Sequence, residues 1–203
     1  MIRGFIVIVF VAVASVVFSQ DDLSFTWHNE INYEIGERET WSVDGLLNVY
    51  ISKNGAIDKY DSVGTLKFSQ SIKALGKMTQ LVPINTMKLV HFSEEQQTLC
   101  FLDNTLSTLD DCIELIDKNV INASYISSSN QPNKVWVLDN LNSRLLLIPL
   151  EGNSQQQEIQ NLKGILAIES ITQIIERGNN LLVLDPEKGV YVFDMYGLSL
   201  IHI

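Results

Sequence analysis

The chain has 203 residues, 46% of them apolar, and a formal net charge of −10 at pH 7. That length accommodates one domain of ordinary size with a substantial core. The acidic balance repels phosphate backbones, so we expect no nucleic-acid partner, and it is typical of a soluble exported protein.

The first predicted element is a secretory signal peptide. A short basic segment, residues 1–4, precedes an uncharged apolar run at residues 5–18. A membrane-spanning helix needs about twenty apolar residues, so this run is typical of a cleavable signal and not of a membrane anchor. Small Ser19 followed by polar Gln20 predicts cleavage after residue 19. We therefore expect a single mature domain, residues 20–203, without a membrane span, in the periplasm or secreted from a Gram-negative bacterium.

Short β-rich runs separated by polar turns recur along the rest of the chain. In chain order they are Leu46–Ile51, Ala56–Asp61, Thr65–Ser69, Met87–Phe92, Thr98–Asp103, Lys134–Asp139, Arg144–Leu150, Asn180–Asp185 and Gly189–Asp194. Several runs are apolar at nearly every position, which indicates strands whose two faces are both covered. The similar segments Tyr60–Gly64 and Phe193–Gly197 lie 133 residues apart. This separation equals three steps of about 44 residues, close to the length of a propeller blade.

In three segments the chain resembles β-propeller proteins of the NHL, quinoprotein and WD types, in particular uncharacterised exported propeller-like proteins of Gram-negative bacteria. The segments are residues 48–68, 133–150 and 179–197. The resemblance implies an all-β fold of antiparallel, blade-like sheets with about four blades. No WD dipeptide, kelch double glycine or quinone-binding tryptophan motif occurs in the sequence, so the resemblance implies no cofactor. Because Tyr196 and Gly197 should lead into a further strand, we also expect a propeller truncated at its C-terminus.

An α+β fold with one or two short helices is the alternative. Apolar residues in two segments, Leu109–Ile116 and Ile159–Ile175, are spaced as they would be on helical faces. The β-branched residues near Ile175 and the neighbouring strands favour the all-β interpretation.

The chain contains two cysteines, Cys100 and Cys112. Export would allow a disulfide between them to persist, and they come roughly opposite each other if the two segments pair as a hairpin near Leu106. A structural disulfide and a pair of buried free thiols both remain open.

Three aspartates, Asp103, Asp139 and Asp185, each end a predicted strand. They could converge as a ligand face, or as a weak calcium site, if equivalent strands surround a central channel. We favour a role in capping turns through hydrogen bonds with backbone amides. The scattered histidines and the lack of a GxSxG motif in the sequence predict no catalytic, cofactor-binding or metal-binding residues.

Aromatic residues could form a platform for stacking sugars, although core packing is the favoured role. The candidates are Trp41, Trp136, Tyr33, Tyr50, Tyr125, Tyr191 and Tyr196.

The sequence therefore predicts a non-enzymatic binding or scaffold protein that uses propeller loops to bind a protein or a glycan. The alternative is a carbohydrate-active or quinone-dependent propeller enzyme whose catalytic part is missing from the chain. Both interpretations rest on analogy with the fold.

Overall fold

The computed structural model describes residues 31–33, 40–53, 55–152, 156–197 and 199–202, and only the backbone of residues 110, 111 and 199–202. The predicted signal peptide lies outside the described residues. The sheets described below belong to one compact unit, Tyr33–Ile203.

The described chain forms four sheets, each a meander of four antiparallel strands paired in sequence order. Blade 1 contains β1 (Thr40–Val43), β2 (Val49–Lys53), β3 (Ala56–Tyr60) and β4 (Leu66–Ser71), and blade 2 contains β5 (Gln80–Pro83), β6 (Lys88–Ser93), β7 (Thr98–Asp103) and β8 (Thr108–Glu114). Blade 3 contains β9 (Ala123–Ser128), β10 (Lys134–Asp139), β11 (Arg144–Pro149) and β12 (Gln157–Ile159), and blade 4 contains β13 (Gln173–Arg177), β14 (Asn180–Asp185), β15 (Gly189–Asp194) and β16 (Ser199–His202).

The four sheets are arranged as the blades of a β-propeller. The first strands of successive blades contact one another in the order β1, β5, β9 and β13. The second, third and fourth strands of each blade follow outwards from these inner strands. The predicted all-β propeller of about four blades is therefore confirmed. The segments Tyr60–Gly64 and Phe193–Gly197 each begin in the last residues of a third strand, β3 in blade 1 and β15 in blade 4. They are therefore three blades apart, as the repeat length predicts.

The α+β alternative is wrong. The helical elements of the described residues are single 3₁₀ turns in the connections between blades, at Lys73–Leu75, Leu115–Lys118, Leu162–Gly164 and Ile168–Ser170. Leu109 and Ile113, which share a helical spacing, lie on β8 and pack against the apolar cluster between blades 2 and 3. The apolar residues of the candidate helices thus lie in strands and in the connections between blades.

Apolar clusters fill the spaces between neighbouring blades. One cluster joins blades 1 and 2, a second joins blades 2 and 3, and a third joins blades 3 and 4. Strand β10 contributes to two of them, because Val135 and Val137 point towards blade 2 whereas Trp136 and Leu138 point towards blade 4. Full burial of such a side chain contributes about 1.5 to 3 kcal/mol. The nearly continuous apolar sequence of β10 therefore reflects coverage of both faces, as predicted.

Antiparallel alternation gives the propeller two distinct ends. The end that carries the turns between first and second strands and between third and fourth strands is called the lower end. The upper end carries the turns between second and third strands and the connections between blades.

One type of aspartate turn recurs at the lower end. Its aspartates accept, through Oδ1, a hydrogen bond of 2.8 to 3.1 Å from the backbone N–H two residues later; they are Asp44, Asp61, Asp103 and Asp194. The residue three positions after each aspartate has a φ between 63° and 88°; these residues are Leu47, Gly64, Leu106 and Gly197. A carboxylate that bonds the backbone ahead of it stabilises such a tight turn. The fully buried side chain of Leu106 also packs in the cluster between blades 1 and 2, which offsets the cost of its left-handed backbone.

We predict that Trp136→Ala lowers the free energy of unfolding by about 3 to 5 kcal/mol, because the side chain is fully buried between blades 3 and 4. Denaturant titration measures the change. Trp41→Ala is the matched control, since Trp41 is 59% exposed, and it should cost less than about 1 kcal/mol. Equal losses for the two variants would contradict the assigned packing.

Candidate functional site

The inner strands of all four blades line one open cavity of about 590 Å³, the central channel. Its lining residues are Thr40, Trp41, Ser42, Thr79, Gln80, Leu81, Val82, Pro83, Ser124, Tyr125, Ile126, Ser127, Ser128, Thr172 and Gln173. Every blade contributes to this cavity, so the channel is the place where the whole fold converges.

Glutamine side chains from blade 2 hold the inner strand of blade 3. Gln80 Oε1 accepts a hydrogen bond from the N–H of Ile126 at 2.7 Å. Gln97 accepts a bond from the N–H of Ala123 at 2.7 Å and donates one to the carbonyl oxygen of Ala123 at 2.9 Å. An inner strand has no strand partner on its channel side, so its backbone groups need such side-chain partners. These bonds fix one wall of the channel.

The channel wall is uncharged. None of the fifteen described lining residues is Asp, Glu, Lys, Arg or His. The wall contains residues with hydroxyl and carboxamide groups and two aromatic residues, Tyr125 and Trp41. The Trp41 side chain lies beside the channel, on the face of blade 1 opposite the cluster shared with blade 2. Burial raises the pKa of the Tyr125 phenol, although hydrogen bonds with the Gln80 side chain and the Ile174 backbone lower it, so the phenol is protonated near neutral pH. These described groups can donate and accept hydrogen bonds and stack against a ligand, but they supply no carboxylate or imidazole for proton transfer.

Asp103, Asp139 and Asp185 do not occupy equivalent positions in their blades. Asp103 ends the third strand of blade 2, at the lower end, whereas Asp139 and Asp185 end the second strands of blades 3 and 4, at the upper end. The described lining of the central channel includes none of the three. The structure therefore does not bring these carboxylates together, and we propose no ligand role for them.

Each of the two upper-end aspartates has a local partner. The fully buried Asp139 accepts a hydrogen bond from Nε of Arg144, its cross-strand neighbour, at 3.1 Å. Asp185 accepts a hydrogen bond of 2.6 Å from Oγ of Ser170. That bond, together with backbone N–H groups of the following turn, holds the pKa of Asp185 below its usual value. Both carboxylates thus stabilise the upper ends of their blades.

The two cysteines form a disulfide between β7 and β8, with Cα atoms 4.2 Å apart. His91 on β6 lies directly opposite Cys100. The imidazole of His91 is fully buried, and neither of its nitrogens has a hydrogen-bond partner among the described residues. Burial lowers the pKa of His91 to about 4, so the ring is neutral at physiological pH. His91 is a core residue of blade 2 and not a base in an accessible site.

The aromatic candidates are distributed over the blades and do not form a single platform. Trp136 and Tyr50 are buried between blades. Tyr33 packs against Tyr60, with ring centroids 5.0 Å apart. Trp41 borders the channel, and its side chain is exposed on the outer face of blade 1.

Tyr191 is buried in the cluster between blades 3 and 4, and Tyr125 packs against the same cluster from the channel side. Tyr196 is 83% exposed at the lower end. Only a subset of the predicted aromatic residues is thus available to a ligand.

Gln80 and Gln173 of the channel wall were not identified from the sequence. Their strands, QLVP and QIIER, combine polar and apolar residues without a clear period. Their place in the chain could have indicated them. Each blade needs one more strand on its inner side, before the two strands that the sequence pattern identifies, and Gln80 and Gln173 lie in these preceding segments.

Among the described residues, no group of three or more His, Cys, Asp or Glu side chains is placed to hold a metal ion. The same part of the chain contains no helix of the length and apolarity needed to cross a bilayer.

Neither a protein-family model nor a curated protein sequence matches the chain. Solved structures do resemble it. A streptogramin B lyase structure has a TM-score of 0.56 and 12% identity, over 79% of this chain and 52% of that one. A protein of unknown function from Bacteroides caccae has a TM-score of 0.57 and 10% identity, over 85% of this chain and 70% of that one.

The dihydro-heme d1 dehydrogenase NirN, in complex with DHE, has a TM-score of 0.52 and 15% identity, over 81% of this chain and 36% of that one. The chain thus spans about half of the lyase and about a third of the dehydrogenase. At these identities the likeness shows the propeller fold alone.

We predict that His91 makes the protein less stable in acid. The folded pKa of about 4 lies below the ordinary value of 6.5, so between these pH values the unfolded chain binds a proton that the native chain does not. Stability should be unaffected by this group above pH 6.5 and should fall by about 3 kcal/mol as the pH drops to 4. Denaturant titrations at several pH values measure the loss, and His91→Leu should remove this part of it. An identical pH dependence in the two proteins would show that His91 is not buried as a neutral ring.

Proposed function

We propose that this chain is an exported, non-enzymatic binding protein whose central channel takes a neutral glycan. The observation that carries the proposal is the wall of the channel, whose described lining combines hydroxyl, carboxamide and aromatic groups without a charged side chain. The comparisons support a propeller frame and leave its ligand open.

The chemistry of the channel favours a neutral, hydroxyl-rich ligand. The carboxamide of Gln173 and the hydroxyl groups of the wall can both donate and accept hydrogen bonds, which matches the hydroxyl groups of a sugar. The exposed ring of Trp41 presents a flat apolar surface, which suits the C–H face of a pyranose. A charged ligand would find no opposite charge among the described lining residues to offset its loss of hydration.

Two features support export. Residues 1–19 have the basic, apolar and small-residue pattern of a secretory signal. The disulfide between Cys100 and Cys112 is of a kind that persists in oxidising compartments and is rare in the cytosol.

The proposed ligand class can be tested by calorimetric titration with neutral oligosaccharides such as cellohexaose, chitohexaose and maltoheptaose. We predict saturable binding of at least one of them. Trp41→Ala should weaken it about tenfold, because the stacking surface is lost. Tyr196→Ala is the control, since Tyr196 is also exposed but belongs to another part of the surface, and it should leave the affinity unchanged.

Two results would contradict this function. Binding that requires a charged sugar, with no response to neutral ones, would be incompatible with an uncharged site. Release of new reducing ends during the titration would identify a carbohydrate-active enzyme.

Export has its own test. When the chain is expressed with its N-terminal segment in a Gram-negative host, we predict a periplasmic product that begins at Gln20. Intact mass spectrometry should show this N-terminus, and alkylation should add no mass before reduction, because both cysteines are in the disulfide. A cytoplasmic product that retains residues 1–19 would rule out the predicted signal peptide.

A further inference from the structure

A second cavity, of about 350 Å³, opens at the lower end between blades 3 and 4 and is called the lower cleft. Carboxamides of Asn130, Gln157 and Asn179 contribute to its lining, and the 83% exposed Tyr196 lies beside them. The lower cleft shares no lining residue with the central channel. It is therefore a separate candidate site.

Glu176 is the one ionisable carboxylate among the described residues of the lower cleft. It lies on the inner strand β13 and is only 9% exposed. One carboxylate oxygen, Oε2, accepts hydrogen bonds from Nε1 of Trp136 at 2.7 Å and from Oγ of Ser129 at 2.6 Å. These bonds cross from blade 3 to blade 4 and fix the carboxylate in place.

The charge of Glu176 has no cationic partner in the described part of the chain, where the ion pairs within 4.0 Å involve other residues. Its two hydrogen-bond donors, an indole and a hydroxyl group, are both neutral. Nearly buried glutamates are generally paired with a cation, because the desolvation of an isolated charge is costly. The other oxygen, Oε1, belongs to a side chain that lines the open cleft, so a ligand can supply the missing charge.

We infer that the lower cleft binds a primary ammonium group, as presented by a lysine side chain of a partner protein. An ammonium group carries three N–H donors, and the Glu176 carboxylate and the carboxamide oxygens of Asn130, Gln157 and Asn179 can accept hydrogen bonds from them. The carboxamide oxygen of Gln131, in the same lining, already accepts a hydrogen bond from Nζ of Lys134 at 2.9 Å. The exposed Tyr196 also lines the cleft, and its aromatic ring can contact a bound cation. The acidic balance of the chain favours the approach of a basic partner.

A divalent metal fits this cleft less well. Calcium takes six to eight oxygen ligands and commonly several carboxylates, whereas the described lining of the lower cleft contains a single carboxylate. A neutral sugar would leave the charge of Glu176 uncompensated. A primary ammonium group meets both the charge and the hydrogen-bonding requirements.

The Trp136 indole provides a direct reporter of binding, because its N–H is bonded to Glu176. We propose titrating the ¹⁵N-labelled protein with Nα-acetyl-lysine methylamide and following the indole resonance, assigned with the variant Trp136→Phe. The uncharged isostere Nα-acetyl-norleucine methylamide is the control probe. The lysine probe should give a saturable shift and the norleucine probe should give none.

Two variants test the role of the charge. Glu176→Gln keeps an oxygen that accepts the bonds from Trp136 and Ser129 but removes the charge, so it should preserve the fold and weaken binding of the lysine probe at least tenfold. Glu169→Gln, an exposed carboxylate at the upper end, is the matched control and should leave binding unchanged. Tyr196→Ala should weaken binding about threefold.

The inference is overturned if the indole resonance does not respond to millimolar lysine probe, if the norleucine probe shifts it equally, or if folded Glu176→Gln binds with unchanged affinity. Calcium that shifts the resonance where the lysine probe does not would assign the cleft to a metal instead. Because the two cavities share no lining residue, each of these outcomes is independent of glycan binding in the central channel.

Discussion

Apolar packing between neighbouring blades is the interaction on which the rest of this structure depends. A single four-stranded meander has two faces and cannot bury either of them alone. Stacking the blades buries both faces of blades 2 and 3, through strands such as β7 and β10 that are apolar on both sides. The same stacking brings the inner strands into contact and so creates the central channel. Core packing elsewhere in the blades thus positions the polar groups of the channel wall.

Blades 1 and 4 each have an outer face, which points away from the neighbouring described blade and is formed by alternate residues of each strand. Trp41 and Val43 of blade 1 are 59% and 42% exposed, on the side of the sheet opposite Tyr50 and the cluster shared with blade 2. On blade 4, Ile175, Leu182, Leu184 and Val190 line a shallow, mostly apolar depression of about 130 Å³. No apolar cluster of the described residues joins these two faces. Three blade-to-blade cores therefore support the four described blades.

Much of the fold could be predicted from local sequence. The runs Thr98–Asp103, Lys134–Asp139 and Gly189–Asp194 are strands with the predicted bounds, because each is a continuous apolar segment that ends where an aspartate begins a turn. The equivalence of these turns could not be predicted. Asp103 and Asp139 both end a strand, but one ends a third strand and the other a second strand, and this register depends on how many strands precede them in their blades. The real equivalents of Asp103 are Asp61 and Asp194, which make the same turn at the same end of their blades.

The candidate sites were harder to predict than the fold because the wall of the central channel, and Glu176 of the lower cleft, lie on inner strands. The sequences of β9 and β13, ASYISS and QIIER, contain polar residues that break the apolar pattern of a buried strand. The partners of such residues lie in neighbouring blades. Glu176, for example, accepts a hydrogen bond from Trp136, which lies forty residues earlier in the chain. Non-local contacts of this kind leave no motif in the sequence.

The most direct measurement of the central claim is hydrogen–deuterium exchange of the folded protein with and without a neutral oligosaccharide such as cellohexaose. If the channel is the binding site, backbone amides of the inner strands β1, β5, β9 and β13 should be protected by the ligand, while the outer strands β4, β8 and β12 should exchange as before. Protection confined to the outer strands, or to turns at one end without the inner strands, would contradict the assignment of the central channel as the site of binding.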